Sequence, residues 1–404
     1  MKRIVMVVGG VETLEYFSRE MAVAFEKMGY LVFFFDLKHA SGSAKKLRKF
    51  LKPRETALVT FNFEGLEKEE GVYREGIGYI WDTYQIPCYN IAADHPYFYH
   101  ERLADLPKQY YHISIDRLQE KYFREFYPEY RDLGFLPLAG TQLCEKDMLG
   151  INGRERGSDS QSGMTEERSM DVLLTGNYTE LSFFEPYIHW INDEYAAFYQ
   201  GIIDELIACP DKTVEEVALD HCYREMGENT KEDLRIAMSK MIFIDMYVRN
   251  YWRGEVVKTL VDAGITVNVV GKGWEKLECD RPQNLIIHPQ TDSHTCLLMI
   301  SQAKISLNVM PWFKDGAHDR VFNSIVNGAV CVSDTSRYLC DELKEGEGVC
   351  YYSLKDLAPL PDMVHCLLQD EGRRRQIVDA GKEKVLRKHL WANRAGTLHE
   401  WISA

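Results

Sequence analysis

Short apolar runs alternate with amphipathic stretches along the first 140 residues, the pattern of parallel β-α-β units. Ile4 to Val8 reads as a buried strand that stops at Gly9-Gly10, and an amphipathic helix follows from about Thr13 to Met28. Gly29 closes that helix, and Leu31 to Leu37 is a second buried strand. Ala57 to Asn62, Pro87 to Ala92, His112 to Ile115 and Leu133 to Leu138 continue the series. Strands separated by helical spacing predict a doubly wound sheet.

From about Gly140 to Met170 the chain changes character. The run Asn152 to Gly163 is polar and rich in glycine and serine, and reads as a mobile interdomain linker or surface loop. The alternation restarts with a strand at Asp171 to Thr175, closed by Gly176. Some sixty residues then carry apolar positions only at helical spacing, through Trp190, Tyr195, Phe198, Ile202 and Leu206. A helix near Ile242 to Ala263 precedes strands at Thr266 to Val270, Leu285 to His288, Ile305 to Val309, Ala329 to Ser333 and Val349 to Tyr351. The tail from about Glu371 to Trp401 is helical. The expected organisation is α/β: a Rossmann-like domain over 1–140, a linker over 141–170, and a second such domain over 171–385. The second domain holds a helical insertion at about 180–240, and a terminal helix covers 386–404. Two such halves face a cleft, the natural place for a ligand.

A length of 404 residues fits two or three cores. The net charge of −14 repels phosphodiester and anionic-lipid surfaces, so nucleic acid is not an expected partner. No stretch reaches the roughly 18 apolar residues of a membrane span. The ten cysteines stand singly without a C-x-x-C pair, so neither a zinc site nor a redox motif is indicated. A reducing, cytoplasmic setting is expected.

The chemistry concentrates between Asp315 and Asp334. A strand ends, a polar loop carrying Asp315, Gly316 and His318 follows, and a helix starts near Asp319. Open α/β sheets bind phosphates at such a loop and helix N-terminus. Arg320 adds a forked cation suited to phosphate, and Asn323 lies one turn on, in reach of a ribose. In the first half, Asp94 and His95 follow a strand end, with Pro96 holding His95 extended. Either residue is a candidate general base, and Tyr97, Phe98 and Tyr99 a candidate acceptor platform; a capped turn with buried aromatics is the alternative. Asp116 is a lesser candidate. Gly9-Gly10 lacks the dinucleotide fingerprint, since Val11 stands where a glycine is needed, which argues against an oxidoreductase.

The segment from Asp315 to Val332 resembles the donor-site signature of bacterial GT-B glycosyltransferases, with group 1-type C-terminal domains, in the branch that includes spore-maturation-type proteins. Asp315 and Asn323 stand at the eight-residue offset where retaining members carry two glutamates, followed by Asn327-Gly328-Ala329-Val330. Arg320-Val321-Phe322-Asn323 is similar to the spore-maturation form. Gly271-Lys272-Gly273 resembles the turn that approaches base and ribose in such enzymes, and Lys272 is a candidate phosphate contact. Gly176 and Tyr178 match the first loop of the donor domain. His389 to Ala395 resembles the closing helix, with a packing role. The departures from paired glutamates leave retaining or inverting chemistry open.

The resemblance implies a GT-B fold and transfer of a hexose from a nucleotide diphosphate sugar to a protein, peptide or glycan acceptor. The nucleotide sugar is a substrate, and no separate cofactor is expected. No D-x-D motif occurs, so metal-independent transfer is expected. A nucleotide-sugar epimerase of the same fold and a non-catalytic nucleotide-sugar-binding protein are the alternatives.

Overall fold

The computed structural model describes residues 1–144, 147, 168–227 and 229–403. The Asn152 to Gly163 run, expected to be a linker or loop, lies outside the described residues.

Two six-stranded parallel sheets organise the chain. The first contains β1 (Arg3–Val8), β2 (Leu31–Asp36), β3 (Thr56–Phe61), β4 (Cys88–Ala92), β5 (Tyr110–Ser114) and β6 (Arg131–Phe135), in the order β2-β1-β3-β4-β5-β6. The second contains β7 (Met170–Thr175), β8 (Val267–Val270), β9 (Leu285–His288), β10 (Ala303–Asn308), β11 (Val330–Ser333) and β12 (Val349–Tyr351), in the order β9-β8-β7-β10-β11-β12. The second is the 3-2-1-4-5-6 order of dinucleotide-binding folds. Central strands such as β3 and β4 are buried along their whole length, as expected of strands covered by helices on both faces. Every strand predicted from the apolar runs is present, with ends shifted by up to three residues.

Among the helices, α1 (Glu12–Lys27) follows β1 and α2 (Arg117–Phe126) follows β5. The expected helical insertion contains α3 (Asp193–Ala208), α4 (Val214–Met226) and α5 (Lys231–Lys240). Polar caps define these ends. Asn192 accepts from Tyr195 N at 3.0 Å, Thr213 from Glu216 N at 3.1 Å, and Thr230 with Asp233 forms a capping box. Although continuous with the second half, the insertion docks on the first. Arg235 makes a forked contact to Glu129 at 2.9 and 3.1 Å, and Lys231 Nζ donates to the Glu125 carbonyl at 2.9 Å.

The long α6 (Ile242–Asp262) leads into β8. The short α7 (Asp319–Val326) follows β10 at the bounds its sequence indicated. The predicted helical tail divides into α8 (Glu371–Lys388) and α9 (Trp391–Ser403). The latter returns to the first half: Trp391 packs 4.6 Å from the Phe17 ring, and His399 meets the Tyr30 hydroxyl at 2.6 Å. Arg394 donates to the Pro137 and Leu138 carbonyls at 2.7 and 3.0 Å, so the His389 to Ala395 segment serves packing, as expected.

Candidate functional site

The carboxyl ends of both sheets converge. Asp116, at the end of β5, caps α2 by accepting from Leu118 N at 2.8 Å, and its other oxygen accepts from Lys314 N and Asp315 N at 3.1 and 2.8 Å. Gly316 is obligatory in this contact, because a Cβ there would lie 2.6 Å from the Ile115 carbonyl. Burial pushes the Asp116 carboxyl up to about 6. Asp315 faces Arg117 at 3.3 Å and Arg337 at 3.9 Å. Asp315 and Gly316 therefore join the two sheets.

On the second sheet's side, the turns after β7 and β8 interlock. Trp274 is fully buried, donates from Nε1 to the Gly176 carbonyl at 2.8 Å, and stacks on Tyr178 at 5.2 Å. Tyr178 N donates to the Lys272 carbonyl at 2.9 Å, and Lys272 N to Asn177 Oδ1 at 2.9 Å. A Cβ on Gly271 would sit 2.4 Å from the Gly176 carbonyl, and one on Gly273 would sit 2.0 Å from the Tyr178 carbonyl. Both glycines exist so that the two backbones can touch. The Lys272 side chain is exposed.

Two arginines border the Gly176 turn. A Cβ on Gly176 would meet Arg320 Nη1 at 2.9 Å and Arg253 Cζ at 3.9 Å. Arg320 donates to the Thr175 carbonyl and Arg253 to the Asn177 carbonyl. Neither forms an ion pair within 4 Å among the described residues, and Arg320 Nε is buried without a hydrogen-bond partner there. Burial and the neighbouring Arg320 and Arg249 charges pull Arg253 down to about 9. Burial likewise lowers Arg320. Two guanidinium groups without a contact ion pair, in a partly dry site where Asp319 and Asp334 offset the Arg320 charge from a distance, attract a doubly charged anion.

His318 caps α7, its Nδ1 accepting from Arg320 N at 3.3 Å and lying 2.5 Å from Asp319 Oδ1. Burial and Arg320 hold its pKa below the ordinary value. Asn323 accepts from Thr141 N at 2.7 Å and donates to Asp319 Oδ2 at 2.9 Å. Its amide is thus committed to the chain itself on both sides, which argues against the ribose role expected for it.

The first sheet contributes acids. Asp94 keeps 34% of its side chain exposed and receives Asn62 Nδ2 and Tyr99 OH at 3.2 Å each. Arg249 of α6 reaches it from the opposite half at 3.4 Å, and itself chelates Asp245 at 2.8 and 2.5 Å. His95, only 5% exposed, is packed between Tyr97 and Tyr122 at 4.1 and 4.6 Å, with Nε2 3.4 Å from Glu215 of α4. His95 therefore points beneath the insertion, and Asp94 is tied to three donors. This geometry does not favour either as the free base the sequence suggested. Tyr97 and Tyr99 are buried, so the expected acceptor platform reduces to the half-buried Phe98.

Three residues escaped the sequence reading. Arg249 and Arg253 sit one turn apart on α6, and the spacing Asp245, Arg249, Arg253 in a largely buried helix was an available signal. Glu64 follows the wholly buried β3 as Asp94 follows β4, an equivalence visible once both strands are recognised.

Residues 252–400 match the family model described as glycosyl transferase-like. Comparison with curated protein sequences gives no match. Among solved structures, the sucrose-phosphate synthase of Thermosynechococcus elongatus superposes with a TM-score of 0.51 at 10% identity, covering 99% of this chain and 98% of that one. The Anabaena protein HepE in complex with UDP and glucose gives 0.51 at 9% identity, with both chains covered fully at 100%. An alpha-glucosyltransferase in complex with UDP-glucose and DNA containing an abasic site gives 0.52 at 11%, again with 100% of each chain covered. The architecture is GT-B, and the second half contains a glycosyl transferase-like domain. Among the described residues, no helix is long and apolar enough to cross a membrane.

Proposed function

We propose that the protein transfers a sugar from a nucleotide diphosphate sugar to a protein, peptide or glycan acceptor, in the cytoplasm and without a metal ion. The carrying observation is the pair of buried Arg320 and half-buried Arg253 beside the Gly176 turn, with no carboxylate within ion-pair distance among the described residues. The spore-maturation-like branch remains part of this reading, on Arg320-Val321-Phe322-Asn323.

The donor's diphosphate lies between the two guanidinium groups, against the N-terminus of α7. As the bond from the sugar C1 to the phosphate oxygen breaks, the electron pair leaves with the diphosphate. Fixed cations already aimed at that oxygen stabilise the charge without reorganisation. The wall formed by Gly271, Gly273 and Tyr178 borders the nucleotide, and Lys272 supplies a solvated positive charge. The acceptor enters from the first sheet's side, where Asp94 and Arg249 bridge the cleft.

Calorimetric titration with nucleoside diphosphates and common nucleotide sugars tests the donor site. Binding by the wild-type protein that falls away in Arg320→Ala supports it, and equal affinity of the two proteins for every nucleotide sugar refutes it. Transfer should also survive chelation with EDTA, because the arginines supply the neutralising charge. Activity lost on chelation and restored by magnesium would overturn the metal-independent route.

A further inference from the structure

We infer that Glu64 is the catalytic proton acceptor of this transfer, taking the proton of the acceptor's hydroxyl group at the Gly9-Gly10 turn. The inference rests on the transfer reading above and adds the residue that performs its proton step.

Glu64 sits just past the carboxyl end of β3, beside β1 in the centre of the first sheet. The backbone entering it is strained: Asn62 and Phe63 adopt left-handed φ of 45° and 66°, although neither is glycine. Strain of this kind persists only where the surroundings over-determine it, and it concentrates at functional sites. Here Asn62 Oδ1 accepts from Ala93 N at 2.6 Å and Phe63 N donates to Asn90 Oδ1 at 2.9 Å, so the turn is locked to the neighbouring β4. The result aims the Glu64 side chain across the Gly9-Gly10 turn. Glu64 Oε1 accepts from Val11 N at 2.8 Å, and a Cβ on Gly10 would lie 2.1 Å from that oxygen. Glu64 is only 9% exposed, and the two consecutive glycines place no side chain against its carboxylate.

Its neighbours explain why this acid, and not Asp94, suits the role. Asp94 is paired with Arg249 and two further donors. The Glu64 carboxylate has one hydrogen bond, from a backbone N–H, and no cation within ion-pair distance among the described residues. The charged groups around it are Glu15 on α1 and Glu67 and Glu69 on its own loop. Glu15 pairs with Arg19 at 2.7 Å and Glu67 with Arg102 at 2.6 Å, while Glu69 accepts from Gly65 N and Glu67 N at 2.5 and 2.8 Å. Burial, with these acids adding to it and Val11 N opposing, pushes the Glu64 carboxyl up to about 7. A base tuned to neutrality both accepts and releases a proton readily.

In the step, the acceptor oxygen forms its bond to the sugar C1 as the C1–phosphate oxygen bond breaks. The electron pair departs with the nucleoside diphosphate, and the acceptor's proton passes to Glu64 Oε2.

Glu64→Gln tests this, since a glutamine carbonyl still accepts from Val11 N and the turn is preserved. With the acceptor that wild type uses, kcat should fall at least about 100-fold, with donor affinity by calorimetry unchanged. The wild-type rate should decline as pH falls below about 7, and the residual rate of the variant should lose that dependence. Glu64→Asp, which keeps a carboxylate on a shorter stem, should recover part of the rate. If Glu64→Gln binds donor and transfers within about threefold of wild type with the same pH profile, the inference is wrong while the transfer reading stands. If the wild-type protein binds no nucleotide sugar, both fall.

Discussion

The two walls of the cleft solve opposite problems with opposite charges. On the second sheet's side, the Gly176 turn is flanked by Arg253 and Arg320, and Gly271 and Gly273 on the adjoining turn are demanded by backbone against backbone. On the first sheet's side, the Gly9-Gly10 turn faces Glu64, and a Cβ on its second glycine would meet only that flexible side chain. One wall is rigid and cationic, suited to a leaving diphosphate. The other is strained and acidic, suited to a proton that must move. A net charge of −14 conceals this division completely, because a whole-chain sum carries no information about where charges meet.

The comparison can be tested from its strongest contrast downward. Arg320→Ala should weaken nucleotide binding by about 2–4 kcal/mol, the cost of removing a partner from a desolvated charged contact, measured by calorimetry. Gly273→Ala comes next, because its Cβ would meet the Tyr178 carbonyl at a φ of 85°. It should lower unfolding free energy by about 2–3 kcal/mol. Gly10→Ala should cost less than about 1 kcal/mol, since the flexible Glu64 carboxylate can move aside. Denaturant titration of both variants compares a rigid wall with a yielding one, and equal losses would dissolve the distinction.

Glu64 also makes stability depend on pH. Its folded pKa is raised from 4.5 to about 7, so the native chain binds its proton more tightly than the unfolded one. Its stabilising contribution is complete below pH 4.5 and is lost as pH rises through about 7. Glu64→Gln, neutral throughout, should match wild type near pH 4.5 and exceed it above pH 7 by up to about 3 kcal/mol. Unfolding titrations at the two pH values read the difference, and a gap that shrinks with rising pH contradicts the assignment. The smallest effect is expected of Lys272→Ala. This exposed cation should contribute less than about 1 kcal/mol to nucleotide binding. Its contribution should vanish in high salt, while that of the buried Arg320 persists.

Much of this architecture was legible in the chain. Buried parallel strands announce themselves as apolar runs, so the position of each strand, to within three residues, followed from the order of apolar and polar residues. The start of α7 at Asp319 and its end before Asn327-Gly328 were equally readable, because caps and stops are local chemistry. A separate terminal helix was expected from 386, and the break between α8 and α9 falls slightly later, at His389 and Leu390. Both halves have helical spacing, and the return of Trp391 to Phe17 is a long-range contact.

The candidate site divides along the same line. Arg320 and Gly176 could be named from a strand, a loop and a helix start, since phosphate-binding geometry is built from consecutive residues. Asn323 and Asp315 were equally visible as residue types, yet their side chains are spent on Thr141 and Asp319, and on Arg117 and Arg337. Arg253 acquires its place only because α6 brings it to the turn after β7, where it donates to the Asn177 carbonyl. Glu64 acquires its place only because β3 lies between β1 and β4. The sequence by itself determined which residues form elements and where each element begins. Tertiary structure alone decided which charged side chains find partners and which are left free to act, because burial and pairing depend on elements far apart in the chain.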